Sequence, residues 1–216
     1  MRRGGFGFTL IEVLVAMMIM AIMAVMAWQG VDGIVRARDA SQARLEQALR
    51  MNTVIAQWDQ DLAQLQDSVA VPQELACDGA TVRMVRRTAD GLQIVAWSFR
   101  PGDSGGAWVR WAGPSVTTVG ELRDSWLRSQ QLQGREAGSL TTLTGLSGWQ
   151  VYFHQTNAWA NCQSTGNTVQ PPGNPGSAPA PPTPRIELPK GVRVVLSFAP
   201  GSGISGDLTR DTLLRP

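Results

Sequence analysis

Residues Phe8 to Trp28 read FTLIEVLVAMMIMAIMAVMAW, 21 residues with one charge, Glu12. As a helix this run is about 30 Å long, the thickness of a bilayer core. Arg2 and Arg3 precede it, and the next basic residue is Arg36. That asymmetry predicts a cytoplasmic N-terminus with the rest of the chain on the far side. A cleaved secretory signal fits poorly, because its apolar region is normally shorter. A plain anchor leaves Glu12 unexplained, since a carboxylate within a span costs about 2.5–3.5 kcal/mol on insertion scales.

The sequence Gly7-Phe8-Thr9-Leu10-Ile11-Glu12, after a short basic leader and before an uninterrupted apolar run, accounts for every residue. It resembles the processing site of type IV prepilins and type II secretion pseudopilins. The resemblance implies that prepilin peptidase cuts between Gly7 and Phe8, that Phe8 becomes the methylated N-terminus, and that Glu12 docks subunits in a filament. The physics agrees: a buried carboxylate and a new amine on a neighbour stabilise each other only in the correct register. Glu12 is thus read as an assembly residue.

Beyond Trp28, Gly30 and Gly33 weaken the helix locally. Leu45, Ala48, Leu49, Ile55, Trp58, Leu62 and Leu65 then recur at helical spacing, which predicts one apolar face. The interspersed charges, including Asp59 and Asp61, read as a solvated face. Pro72 sets the end of the helix near residues 66–69.

The remainder alternates with period two. Val82 and Met84, then Leu92, Ile94 and Ala96, then Trp149, Val151 and Phe153, then Val192, Val194, Leu196 and Phe198 each share a face. Leu208, Thr212 and Leu214 mark a last strand. Ala89-Asp90-Gly91 is a hairpin turn. The expected fold class is α+β, a long N-terminal helix packed against an antiparallel β-sheet head. The expected divisions are a leader over 1–7, a membrane helix over 8–28, its periplasmic extension over 29–69 and a β-rich head over 70–216. Residues 119–132 fit either a short helix or an extended arm. Residues 164–184 hold seven of the thirteen prolines and no charge, the composition of a flexible or polyproline II loop.

Composition narrows the chemistry. Lys and Arg total 19 against 17 Asp and Glu, a net charge of +2, which gives no basis for strong nucleic-acid binding. Trp108, Arg110 and Trp111 therefore read as strand core rather than a base-stacking surface. One His and two Cys argue against a multi-ligand zinc site. His154, out of phase with the apolar residues of its strand, reads as a surface residue. No catalytic arrangement or cofactor motif is visible, so neither enzyme activity nor a cofactor is expected. Cys77 and Cys162 fall on the oxidising side of this topology, where a disulfide between them is expected.

Within the prepilin class the chain resembles the J-type minor pseudopilins of type II secretion systems. The resemblance rests on the extended helix with Trp58-Asp59-Gln60-Asp61-Leu62 and on the final strands, Leu188-Pro189-Lys190-Gly191-Val192 through Leu208-Thr209-Arg210 to Leu213-Leu214. It implies a single-pass inner-membrane subunit with a periplasmic head, partnered by I-, K- and H-type minor pseudopilins at a pseudopilus tip. The Pro-rich insert and the uncharged stretch 137–184 depart from that pattern. A minor pilin of a type IV pilus, including a DNA-uptake pilin, shares the same N-terminus. A membrane-anchored periplasmic enzyme is the reading from a different class.

Overall fold

The computed structural model describes residues 8–103, 105–155, 157–164 and 188–214. The leader with Gly7, and the Pro-rich stretch from residue 165 onward, lie outside the described residues. The chain divides into two compact units, residues 1–50 and 51–216.

Helix α1 (Leu10–Ala63) is continuous through Gly30 and Gly33, which have open space around them. Within the first unit its apolar side chains are exposed, Leu45 and Leu49 among them. The buried face begins in the second unit with Val54, Trp58, Asp61 and Leu62. The helix stops at Ala63, short of the expected 66–69. Strand-like pairing takes over: Gln66 N–H donates to Val85 and Arg87 N–H to Gln64, with Leu65 bridged to Arg86.

The second unit is an antiparallel sheet of eight strands: β1 (Leu75–Cys77), β2 (Thr81–Thr88), β3 (Gly91–Arg100), β4 (Gly106–Ala112), β5 (Ser139–Gln155), β6 (Ala158–Asn161), β7 (Gly191–Phe198) and β8 (Asp207–Leu213). The order is β1-β2-β3-β4-β5-β7-β8, with β6 paired to β5. The fold is α+β and pilin-like. Ala89 and Asp90 form the β2–β3 turn, since Thr88 pairs with Gly91. Gly91 has φ +135°, and a Cβ there would lie 2.3 Å from the Val116 carbonyl oxygen, so only glycine fits.

The 17-residue β5 makes the sheet curl. Its first half, to Leu146, pairs with β4, and its second half pairs with β7. Gly145, at φ +77°, sits where it changes partners. The curl gathers residues of both halves into one core: Leu75, Val82, Met84, Val95, Trp97, Trp108, Leu143, Leu146, Val151, Phe153, Val192, Val194 and Leu196, under Val54, Trp58 and Leu62 of α1. The rings of Trp58, Trp97 and Trp108 lie 4.3–5.6 Å apart. Burying each Val, Leu or Met here contributes about 1.5–3 kcal/mol.

The opposite face of β2–β4 is covered by helix α2 (Val119–Ser129), which settles residues 119–132 in favour of a helix. Thr118 caps it, its hydroxyl accepting from Glu121 N–H at 3.4 Å and donating to the Glu121 carboxylate at 2.7 Å. Leu122 and Trp126 pack against Val71, Ala76, Val85, Ile94, Ala96 and Trp111.

The acidic residues at the end of α1 are not a solvated face. Asp61 is fully buried. Its carboxylate accepts from Arg110 Nε at 2.7 Å and Nη2 at 2.9 Å, from Trp97 Nε1 at 2.9 Å, from Gln57 Nε2 at 2.9 Å and from Arg86 Nη1. Helical phase explains the correction: position 61 is three residues from Trp58 and seven from Val54, on the inward stripe. Two guanidiniums serve one carboxylate at a helix C-terminus that has no basic residue in its own last turn. There the helix dipole is itself negative and favours the additional cation. Asp59, on the other side of the helix, accepts from Arg210 Nη2 at 2.6 Å and from the Thr212 hydroxyl at 2.7 Å, both on β8.

Cys77 and Cys162 are joined by a disulfide with Cα atoms 5.8 Å apart. Beside it, Trp149 Nε1 donates to the Gly79 carbonyl at 2.9 Å and Gln163 Nε2 to the Asp78 carbonyl at 2.8 Å. The β1–β2 turn is thereby fastened to β5 and the end of β6.

Three outcomes are expected from chemical denaturation of the full chain in detergent. Asp61→Asn leaves two partly buried guanidiniums without a counter-charge and costs about 3–5 kcal/mol. Arg86→Met leaves the neutral Asp61–Arg110 pair and costs less, about 1–3 kcal/mol; equal losses would refute the surplus-cation reading. Replacing both cysteines by serine removes about 2–5 kcal/mol. Unreduced, denatured wild type should take up no maleimide, and labelling of both thiols would show that the bridge is not formed.

Candidate functional site

The N-terminal end of α1 is the segment on which the functional expectations converge. Phe8 is 88% exposed, and the apolar side chains from Leu10 to Trp28 project outward with none buried. The helix is long and apolar enough to cross a membrane, with a mean hydropathy of 2.6 over its most apolar stretch. A surface so continuously apolar is stable only against lipid or other apolar helices. It fits single-pass anchoring.

Thr9 and Glu12 form a capping box. The Thr9 backbone N–H and hydroxyl both donate to Glu12 Oε2 at 2.9 Å, and Glu12 N–H donates to the Thr9 hydroxyl at 3.4 Å. Thr9 precedes the helix and Glu12 stands three residues on, so the box starts the helix at Leu10. The sequence reading assigned Glu12 to a neighbouring subunit and missed this partner, although Thr-x-x-Glu before an apolar run is its signal. The carboxylate is also exposed, so the box does not bury its charge. Gly7, on the other side of the expected cut, lies outside the described residues.

The other residues singled out in the sequence are not gathered at this segment. Cys77 and Cys162 form the disulfide in the second unit. Trp108 and Trp111 are buried on opposite faces of β4, and Arg110 binds Asp61, so the three form no base-stacking surface. His154 is half-buried, its ring 5.1 Å from that of Trp159, with the Arg193 guanidinium 4.3 Å over the same indole. Among the described residues no three His, Cys, Asp or Glu side chains are placed to hold a metal.

Residues 2–28 match the family model of the prokaryotic N-terminal methylation motif. No curated protein matches the chain. The matched region contains Phe8, Thr9 and Glu12 and most of the exposed apolar run. The chain therefore carries a prokaryotic N-terminal methylation motif, which fits a type IV pilin-like protein or a pseudopilin, together with a pilin-like α+β architecture.

Proposed function

We propose that the protein is a minor pseudopilin of a type II secretion system, a J-type subunit of the pseudopilus tip that primes filament assembly and supports export across the outer membrane. The observation that carries this reading is the methylation motif at residues 2–28 on a helix leading into an antiparallel head. In this reading the protein is structural and performs no reaction. It stands in the inner membrane with its N-terminus cytoplasmic and its head periplasmic. Its partners are I-, K- and H-type minor pseudopilins and, during maturation, prepilin peptidase.

The residues then act in sequence. The peptidase cuts between Gly7 and Phe8, and Phe8 gains a charged, methylated amine. Before assembly Glu12 is held by Thr9. On docking, its carboxylate pairs with the amine of a neighbour in the apolar helix bundle. There an unpaired charge is costly, and the pair selects the correct register.

Three measurements test the reading. Full-length chain in detergent should capture I- and K-like pseudopilins from the same cell; capture of pilus minor subunits instead would make it a pilus-initiation pilin. Gly7→Leu should leave the leader attached, seen as unshifted mass. Glu12→Gln should be cleaved normally yet enter filaments about tenfold less, equivalent to roughly 1.4 kcal/mol of docking energy. Undiminished incorporation would show that the carboxylate is dispensable in this subunit.

A further inference from the structure

The sheet curls until the end of β1 meets the chain just beyond β6. Cys77 closes β1 and Cys162 follows β6, with Cα atoms 5.8 Å apart. The two strands are nevertheless not a ladder. Among the described residues no backbone hydrogen bond joins β1 to β6. The seam is crossed by the disulfide and by Gln163 Nε2, which donates to the Asp78 carbonyl at 2.8 Å.

The two sides of the seam are anchored unequally. In β1, Leu75 and Ala76 are buried, and the Glu74 carbonyl beside them accepts from Val85 N–H at 2.9 Å. β6 has four residues, none of them buried, and pairs with β5 alone. No residue of β6 belongs to the main core. Its one large side chain, Trp159, lies away from that core against His154 and Arg193. Detaching β6 therefore uncovers little apolar surface, whereas detaching β1 would open the core. Segments with few buried apolar contacts are the ones that open locally.

The bond is also within reach of a small thiol. Cys77 and Cys162 are half-buried, and Asp78, Asn161 and Gln163 beside them are exposed. We infer that the Cys77–Cys162 bond is a redox-sensitive latch, whose reduction by a dithiol releases β6 while the helix–sheet core stays folded. A thiolate of the dithiol attacks the Cys162 sulfur and breaks its bond to Cys77, which leaves as a thiolate and takes up a proton. The second thiol of the reagent then attacks the mixed disulfide and releases Cys162 in the same way. Two electrons pass to the protein, and the dithiol ends as a disulfide. Release of β6 unpairs β5 from Tyr152 to Gln155 on that side and frees Trp159 from His154 and Arg193. The latch lies wholly within the second unit and is independent of the filament reading.

Amide exchange tests the latch, on the full chain in detergent, first oxidised and then reduced with dithiothreitol under native conditions. Cys162 N–H donates to the Val151 carbonyl at 3.0 Å, so ladder alternation bonds Ala158 and Ala160 to β5 as well. These three amides should exchange about tenfold faster or more after reduction. The amides of β7, a strand paired on both sides, should keep their rates. Reoxidation should restore the slow exchange. The double variant Cys77→Ser, Cys162→Ser should show fast β6 amides without reductant and no response to it. Unchanged β6 amides in the fully reduced chain would mean a passive cross-link. Loss of protection across the whole sheet, in the reduced chain or the variant, would mean a staple of the entire unit. A bond that withstands dithiothreitol until the chain is denatured would mean that no thiol reaches it. Each of these three results overturns the inference.

Discussion

The carboxylate of Asp61 organises the second unit more than any other single group. A buried ionised side chain has no stable state outside a complete set of donors. Here those donors come from three neighbouring strands: Arg86 from β2, Trp97 from β3 and Arg110 from β4. The helix end can thus dock only on a sheet whose strands are already in register. Apolar packing by Val54, Trp58 and Leu62 supplies attraction without direction. Asp61 supplies direction, and Asp59 repeats the constraint against β8 through Arg210 and Thr212.

The N-terminal segment works by a different balance. Its apolar surface favours lipid or other helices over water, and its one carboxylate has a local partner in Thr9. A capping box is a modest interaction, about 1 kcal/mol for its capping residue. It is strong enough to orient the carboxylate and weak enough to yield to the ammonium group of the docking proposed above. Thr9 and Glu12 give the chain a satisfied helix start.

Much of this was legible in the residues. The apolar run, the fold class, the β2–β3 turn and the core-facing rows of β2, β5 and β7 follow from periodicity and turn chemistry, whereas the β3 row of Leu92, Ile94 and Ala96 faces α2 and leaves Val95 and Trp97 to the main core. The misses have physical causes. β1 and β6 are too short to show alternation, and the first half of β5 is built of Thr, Ser and Gly around a change of partner. β4 hid because its core-facing row holds Arg110, a charge that belongs to Asp61. Asp61 was misread for the same reason, since charges read singly look solvated. Helical phase placed it inward all along, and only the fold could name its partners. α2 was ambiguous because its buried face has just Leu122 and Trp126 as large apolar residues.

The indoles beneath α1 also give the protein an optical property. Trp58 belongs to the helix, whereas Trp97 and Trp108 belong to the sheet, and their rings are in close contact at fixed, non-parallel angles. Aromatic transitions held this near one another couple, and the part of that coupling that involves Trp58 is lost when the helix leaves the sheet. The near-ultraviolet dichroism of the unmodified chain thus reads out helix–sheet contact directly, without any attached dye.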